Sequence, residues 1–294
     1  MKIDSPQPIS HDAWSAMVIA HRARAEAHTL PVRSRRARGA RDPVGDFLFQ
    51  YYPYPLSLLE RWHPGIGVVL AVKDGWENDL SPELHHFENG GIRLDPSRIP
   101  DKKRERFAWI GDLLAATHER SANFACHGMH EWAMVYQAED VRHSENTPLR
   151  LTQPEIDAFV RSRPIACSHH DAFRFFAKSA RNLNRLQPTL DSRIAMEQPG
   201  CVHANMDLYK WAAKLMPWCG SDLLLDTFEL ALELRELDMR ASPYDLRNRG
   251  LDPIKIETPE GRCEYETLQR QLSSRARPLR QRLINVCAVI AGDG

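Results

Sequence analysis

The stretch Ser221–Met239 reads SDLLLDTFELALELRELDM and predicts the clearest helix of the chain. Ser221 is a preferred N-cap residue, and Asp222 places a negative charge in the first turn, where it complements the helix dipole. The apolar stripe consists of Leu223, Leu230, Leu234 and Leu237. This pattern is typical of an amphipathic helix that buries one face in a helical protein.

The carboxylates of this helix are expected mainly in solvent. Asp226, Glu229, Glu233 and Glu236 line one face, opposite the leucines. Glu229 and Asp238 lie nearest the apolar boundary and are the exceptions to this expectation.

Apolar periodicity predicts further helices on both sides of this stretch. They are His11–His28, Leu56–Trp62, Lys102–His118, Phe124–Ala138, Thr152–Val160 with a capping-box pattern, Cys201–Leu215, and Gly261–Ile290 with a break at Pro278. Ile66–Val72 is the one good strand candidate, and residues 74–100, rich in Gly, Pro and Asn, predict a loop. The fold class is therefore mainly α, a multi-helical domain with a minor β element near residues 66–72.

The composition is that of a soluble globular chain, with 43% hydrophobic and 27% charged residues among 294. The net charge is zero, which argues against a protein that coats nucleic acid by bulk charge. No stretch reaches the roughly 20 apolar residues of a membrane helix, and no signal-peptide pattern opens the chain. We therefore expect no membrane partner, a cytoplasmic location and reduced cysteines.

Basic residues are nevertheless concentrated locally. Residues 1–45 carry eight Lys and Arg against four Asp and Glu, and residues 260–285 carry six Arg against three Glu. A dense arginine run follows the first helix, a pattern typical of a solvated, mobile arm. Its members are Arg33, Arg35, Arg36, Arg38 and Arg41. We predict an N-terminal helix and basic arm over 1–45 and a single helical domain over 46–294, with any DNA contact confined to such basic segments.

Three segments combine cysteine, histidine and a carboxylate, in a chain that contains 13 histidines. They are Cys126–Trp132 (CHGMHEW), Cys167–Phe173 (CSHHDAF) and Cys201–Tyr209 (CVHANMDLY). We expect the three cysteines themselves to be buried small hydrophobic residues. The segments contain no HExxH, phosphate-loop or deaminase motif, so their chemistry must be inferred from residue types.

Two chemistries fit these segments, and a third interpretation needs neither. Imidazole and carboxylate side chains that converge from several helices bind iron, manganese or zinc, one or two ions, in enzymes that act on small molecules. The candidate ligands are His130, Glu131, His169, His203 and Asp207. Alternatively, Glu131 beside Trp132, or Asp207 near Tyr209 and Trp211, would activate water without a metal. In the third interpretation the clusters only stabilise the core of a binding module.

Seven stretches of the chain resemble a bacterial family known as 3-methyladenine DNA glycosylase. They are Asp42–Tyr52, Arg61–Gly65, Ala125–Tyr136, Cys167–Phe176, Gln198–Trp211, Arg235–Leu246 and Ile256–Gly261. The resemblance covers nearly all of residues 20–285. It implies a base-excision repair hydrolase without a cofactor, which flips an alkylated purine out of DNA and cleaves its N-glycosidic bond.

The resemblance also implies roles for individual residues. Glu131, Asp171 and Asp207 would orient the attacking water. The base would stack in a pocket formed by Tyr51, Tyr52, Trp132, Tyr209 and Trp211. His130, His169 and His203 stand in the family motif and are the better ligand or catalytic candidates, whereas His127 and His170 replace a Phe-like residue.

Overall fold

The computed structural model describes residues 7–40, 42–72, 85–88, 91–138 and 147–292. It is mainly helical, which confirms the predicted fold class. The chain forms two compact units: unit 1 is Met1–Gly111, Tyr209–Phe228 and Arg282–Gly294, and unit 2 is Asp112–Leu208 and Glu229–Gln281. The predicted division into residues 1–45 and 46–294 stays a prediction. The two units are defined by contacts within the folded chain, and such contacts do not show which parts fold independently. No helix in the described part of the chain is long and apolar enough to cross a membrane.

Unit 1 combines helices with a small antiparallel sheet of strand order β1-β3-β2. Its elements are α1 (His11–Ala37), α2 (Phe47–Tyr51), α3 (Leu56–Glu60), β1 (Leu70–Ala71), β2 (His85–Glu88), β3 (Gly91–Leu94) and the first half of α4 (Asp101–Glu119). Ile92 of β3 pairs with Leu70, and both pack in a core with Trp14 and Trp62. The two indole rings stack at 6.3 Å between centroids, which anchors α1 to the sheet.

The sheet confirms the predicted strand and corrects the predicted loop. β1 lies inside the predicted strand Ile66–Val72, but β2 and β3 lie inside residues 74–100, for which a loop was predicted. Of that stretch, residues 74–84 and 89–90 lie outside the described part of the chain. The loop prediction was wrong at β3 because Gly91, read as a loop residue, permits close strand approach: a Cβ there would lie 2.7 Å from the carbonyl oxygen of Leu70.

The basic arm is a second correction. Helix α1 continues through Pro31 to Ala37, so most of the arginine run forms its last turns. Pro31 removes one helical hydrogen bond. The neighbouring residues Thr29 and Val32 are nevertheless buried in unit 1, and Arg33 pairs with Glu60 at 2.6 Å. Packing and ion pairing therefore keep helical a segment that its composition predicts to be mobile.

Most of the remaining arginines of this run are also placed by the structure. Arg35 pairs with the buried carboxylate of Asp46. Arg36 and Arg38 are exposed at the end of α1, and Arg41 lies outside the described residues. The pairing of Arg33 and Arg35 with carboxylates reduces the positive charge that this segment offers to a phosphate backbone.

Unit 2 is built from short helices and parts of long ones. It contains α5 (Met129–Met134), α6 (Gln153–Arg161), α7 (His170–Phe173) and α8 (Arg193–Met196). The helices α4, α9 (Val202–Leu215), α10 (Ser221–Ala241) and α11 (Pro259–Ala291) contribute residues to both units. The capping box predicted at Thr152 is present, with the Glu155 carboxylate accepting from the Thr152 backbone N–H at 2.8 Å.

Two helix boundaries differ from prediction. The helix predicted over Phe124–Ala138 is limited to Met129–Met134, because His127 and Gly128 adopt positive φ angles and form a turn instead. The break predicted at Pro278 is absent from α11, which is continuous from Pro259 to Ala291. Burial of Ala276 and Arg280 on either side of this proline keeps the helix in place.

Gly261 in the first turn of α11 gives a stability test of this arrangement. A Cβ at this position would overlap the carbonyl of Lys255, a backbone group that cannot rotate away. We expect Gly261→Ala to lower the free energy of unfolding by about 2 kcal/mol, measured by urea denaturation. The control is Ser274→Ala at an exposed position of the same helix, which is expected to change stability by less than about 0.5 kcal/mol. Equal stability of Gly261→Ala and the unmodified protein would contradict the described packing.

Candidate functional site

The three histidine segments converge inside unit 2. His130 lies in the first turn of α5, His169 caps the N-terminus of α7, and His203 lies in the first turn of α9. Their exposed fractions are 3%, 0% and 7%. The ring of His203 lies between the other two, with centroids 4.6 Å from His130 and 5.5 Å from His169. Segments separated by up to 73 positions in sequence therefore form one buried cluster.

His130 forms an ion pair with a carboxylate of α10. Its Nε2 atom lies 2.9 Å from Oδ2 of Asp238, and the Asp238 side chain is fully buried. Tyr265 donates to the second Asp238 oxygen at 3.5 Å, and Nδ1 of His130 lies 3.5 Å from Sγ of Cys126. Burial alone would lower the pKa of His130, but the charge and hydrogen bond of Asp238 outweigh it and hold this pKa well above its ordinary value.

Asp238 shows the opposite shift for the same reason. Burial would raise its pKa, but the charge of His130 outweighs burial and lowers it. The pair therefore carries a positive and a negative charge that compensate each other inside unit 2.

His169 has a different environment. Its Nδ1 accepts a hydrogen bond from the backbone N–H of Ala172 at 3.3 Å, as the N-cap of α7. Its Nε2 lies 3.4 Å from Oδ2 of Asp207 and 3.8 Å from Oε1 of Glu197, yet this buried atom has no hydrogen-bond partner among the described residues. Since Nδ1 accepts a hydrogen bond, Nε2 is the nitrogen that carries the proton of the neutral ring, and it is directed toward the two carboxylates.

Three carboxylates, those of Asp171, Glu197 and Asp207, lie around His169. His169, Asp171 and Asp207 each offer one ligand atom, and these atoms all lie within 4.8 Å of one another. Arg193 donates to Glu197 at 2.6 Å and to Asp207 at 3.0 Å, and these three side chains are at most 5% exposed. Burial would lower the pKa of Arg193, but the charges of Glu197 and Asp207 outweigh it and raise this pKa, so the guanidinium stays charged.

The carboxylates around His169 have basic side chains beside them. Asp171, Glu197 and Asp207 supply three carboxylates. Arg193 supplies one buried cation, and the half-exposed Arg174 lies 3.6 Å from Asp171. His170 also lies 3.6 Å from Asp171, so each of the three carboxylates is paired with a basic side chain.

His203 separates these two environments as a neutral ring. Burial, and then the positive charge of His130, lower its pKa to about 3. An imidazole that stays neutral keeps one ring nitrogen with a free lone pair for a proton or a metal.

A small cavity lies on the His130 side of the cluster. Its volume is about 10 Å³, enough for one water-sized group. Among the residues that line it are Cys126, His130, Cys167, Cys201, His203 and Tyr265. The prediction that the three cysteines are buried hydrophobic residues holds for Cys167, whereas Cys126 and Cys201 are half-buried.

The carboxylates named as catalytic candidates do not share one location. Asp171 and Asp207 lie together beside His169, but Glu131 pairs with Arg235 at 2.7 Å, on the side of Asp238. His127 lies outside the cluster, 3.2 Å from the carboxylate of Glu266 at the surface of unit 2. The candidate metal set His130, Glu131, His169, His203 and Asp207 is thus divided between the two environments.

The aromatic candidates lie in the cores of their units. Tyr52, Tyr209 and Trp211 are at most 4% exposed in unit 1, where Tyr52 and Tyr209 pack edge to face at 5.5 Å. Tyr51 is half-buried in the same unit. Trp132, fully buried in unit 2, donates to the carbonyl of Ala241 at 2.9 Å. In this conformation none of the four buried rings offers a face for a stacked base.

Four residues of the cluster were missing from the predicted site: Arg193, Glu197, Arg235 and Asp238. Asp238 was recognised only as an exception on the acidic helix. Arg193 and Glu197 are four residues apart on adjacent helical positions, a spacing that predicts an ion pair but not its burial.

Comparison with known proteins gives no match at the level of a protein-family model, a curated protein or a solved structure.

The buried Arg193 pair gives a test of the charge arrangement. We expect Arg193→Met to lower the free energy of unfolding by about 3–5 kcal/mol, because Glu197 and Asp207 would lose their cation inside unit 2. The matched control is Arg275→Met, which removes a pair with Glu233 that is about half exposed and should cost less than about 1 kcal/mol. Similar losses in the two variants, measured by urea denaturation, would contradict this difference in burial.

His203 predicts a dependence of stability on pH. Its pKa is about 3 in the folded protein and about 6.5 when unfolded, so only the unfolded chain takes up a proton as the pH falls below 6.5. The metal-free protein should therefore lose about 2 kcal/mol of stability from this residue between pH 7 and pH 5.

The variant His203→Asn removes this titration and should show a flatter profile in EDTA-containing buffer over the same range. Burial also lowers the pKa values of His21 and His118, and the raised pKa of His130 changes stability in the opposite direction, but these residues are present in both proteins, so the difference between the two profiles belongs to His203. Parallel profiles for the variant and the unmodified protein would show that His203 is not held neutral.

Proposed function

We propose that the protein is a metal-dependent enzyme that binds a divalent cation at His169, Asp171 and Asp207 and acts on a small molecule. The observation that carries this proposal is the convergence of one ligand atom each from His169, Asp171 and Asp207, which all lie within 4.8 Å of one another. A cation at this position would take the place of the Nε2 proton and lie between the carboxylates of Asp171 and Asp207.

The donor types indicate which cation fits. One imidazole with two carboxylates is a mixed nitrogen and oxygen set, which suits iron(II), manganese(II) or zinc. Such an ion supplies Lewis acidity and lowers the pKa of a bound water. The chain's own contribution is orientation: Ala172 fixes the ring of His169 through Nδ1, and Arg193 holds the Asp207 carboxylate.

His203 supports a second role at the same centre. Its ring lies 5.5 Å from that of His169 and stays neutral, so it can form a hydrogen bond with a group bound beside His169 without adding charge. His130 is not assigned to this centre, because its two nitrogens face Asp238 and Cys126.

The glycosylase function implied by family resemblance stays a prediction, as do a DNA partner and a cytoplasmic location. The arrangement of residues favours the metal reading over it for two reasons. Four of the five aromatic residues that would stack a flipped base are buried in the cores of their units. The cavity of unit 2, about 10 Å³, admits a water-sized group and not a purine in this conformation.

Metal analysis of protein purified without a histidine tag tests the proposal. We expect about one equivalent of iron, manganese or zinc per chain, or uptake of one equivalent when the chelated protein is titrated with each ion. His169→Ala should abolish this binding. The matched control is His127→Ala, a histidine on the surface of unit 2 beside Glu266, which should leave the metal content unchanged.

A second variant covers the case in which His169→Ala fails to fold. Asp171→Asn changes a partly exposed ligand at the edge of the centre, where loss of charge costs little stability. We expect it to weaken metal affinity at least tenfold while the thermal melting curve stays close to that of the unmodified protein. Absence of stoichiometric binding for all three ions would overturn the proposal.

The same protein samples can be used to test the glycosylase alternative. We expect no release of base from methylated duplex DNA. Release that persists in EDTA would instead support the glycosylase reading, because that chemistry requires no cation.

A further inference from the structure

The thiol of Cys126 lies beside His130 in an arrangement that the metal centre does not use. Sγ of Cys126 is 3.5 Å from Nδ1 of His130, and Nε2 of the same ring is 2.9 Å from Oδ2 of Asp238. A nucleophile, a base and a carboxylate that orients the base thus follow one another within hydrogen-bond reach. This order is how proteins activate a thiol for covalent chemistry.

The hydrogen-bond directions agree with that order. When the Nε2–H of His130 donates to Asp238, Nδ1 faces Cys126, and the second proton of the charged ring is the one that Nδ1 takes from the thiol. Asp238 is fully buried and also accepts from Tyr265, so its carboxylate is held in place.

Sequence spacing explains why Cys126 reaches a histidine ring. Cys126 and His130 are four residues apart, and the turn at positions 126–129 is closed by a hydrogen bond from the Met129 N–H to the Cys126 carbonyl at 2.8 Å. Cys167 and Cys201 precede His169 and His203 by only two residues, a spacing that does not bring side chains together on a helix.

The cavity beside Cys126 limits what can react there. Its volume of about 10 Å³ holds one water-sized group, too small for an acyl, sugar or nucleobase substrate. One oxygen atom of a hydroperoxide has the size of a water molecule and therefore fits in this cavity. Cys167 and Cys201 line the same cavity, and burial raises the pKa of both thiols, so they remain protonated.

We propose that Cys126 is a nucleophilic thiol that reduces hydrogen peroxide, with His130 as its base and Asp238 as the positioning residue. His130 takes the thiol proton, and the Cys126 sulfur attacks one peroxide oxygen. The S–O bond forms as the O–O bond breaks, and the leaving hydroxide takes the proton from His130 and departs as water. Sulfur is oxidised to sulfenic acid as peroxide is reduced.

The sulfenic acid then condenses with a thiol of the same cavity. The thiol of Cys167 or Cys201 gives its proton to His130 as its sulfur attacks the Cys126 sulfur. The S–S bond forms as the S–O bond breaks, and the leaving hydroxide takes this proton and departs as water. This step explains the presence of three cysteines around one cavity, and it needs no metal ion.

A comparison of two cysteines within the full-length protein tests the proposal without any substitution. Cys263 is exposed on α11, whereas Cys126 is half-buried, so accessibility alone predicts that Cys263 reacts faster. We expect Cys126 to lose its thiol at least tenfold faster in excess hydrogen peroxide, measured by timed quenching with a maleimide and peptide mass spectrometry. Dimedone should trap its sulfenic acid, and without dimedone Cys126 should be linked to Cys167 or Cys201. Equal rates, or faster loss at Cys263, would overturn the proposal.

The variant Asp238→Asn tests the positioning residue. We expect it to slow oxidation of Cys126 at least tenfold while the rate at Cys263 stays the same. If the substitution only loosened the fold, Cys126 would become more exposed and react faster, so the direction of the change distinguishes the two roles. An unchanged or increased rate at Cys126 would therefore contradict the assignment.

The measurement is made on the protein as purified and again after treatment with a chelator. The ratio of the two cysteine rates should be the same in both, since the thiol reaction uses no metal. Loss of the ratio after chelation would overturn the thiol proposal and assign the oxidation to a bound ion. If the protein binds no metal but Cys126 is still oxidised faster than Cys263 by the same ratio, only the proposed metal centre is overturned.

Discussion

Burial of charge is the constraint on which unit 2 depends. The carboxylates of Asp207 and Asp238 are fully withdrawn from solvent, and an unpaired ion in that position would cost several kcal/mol. Each is paired with a cation from another element, Arg193 of α8 for Asp207 and His130 of α5 for Asp238. Since these carboxylates belong to α9 and α10, the requirement to compensate them fixes how short and long helices meet. Apolar packing alone would tolerate many such arrangements.

The same constraint gives three histidines three different properties. His130 is compensated by Asp238 and retains a proton, while His203 lies against that positive charge and stays neutral. His169 has one nitrogen committed to the backbone of α7 and the other facing carboxylates without a hydrogen bond. A residue type that sequence reasoning treats as one class of ligand is therefore divided by its neighbours into a charged ring, a neutral ring and a candidate ligand.

Periodicity predicted much of the helical framework. In α10 it placed Leu223, Leu230 and Leu234 in the core and Glu233 in solvent, as the structure has them. It also marked Asp238 as an exception, because that residue follows the apolar stripe directly. The partner of Asp238 could not be predicted, since His130 is 108 residues away and no local pattern encodes such a contact.

The failures have physical causes of the same kind. The arginine run of α1 has the composition of a mobile arm, but Glu60 and Asp46, which neutralise it, come from later in the chain. β3 begins with Gly91, a residue type that composition assigns to a loop. Pairing with β1 requires a glycine at this position, because a Cβ would collide with the carbonyl oxygen of Leu70. Convergence of the three histidine segments was a hypothesis at the level of sequence, because each segment is locally complete and only tertiary packing brings their rings within 6 Å.

The three segments share one pattern, a cysteine followed by a histidine and a carboxylate, yet they differ in how the cysteine relates to the ring. At Cys126 a turn closed by the Met129 N–H and the Cys126 carbonyl brings the sulfur to the ring of His130, four residues on. At Cys167 the histidine is two residues on, and the sulfur contacts the backbone carbonyl of His169 at 3.7 Å instead. The His169 ring is thereby left to the carboxylates. Spacing within each segment, rather than its residue composition, thus directs one histidine toward a thiol and another toward a cation, and it places both within a single buried cluster.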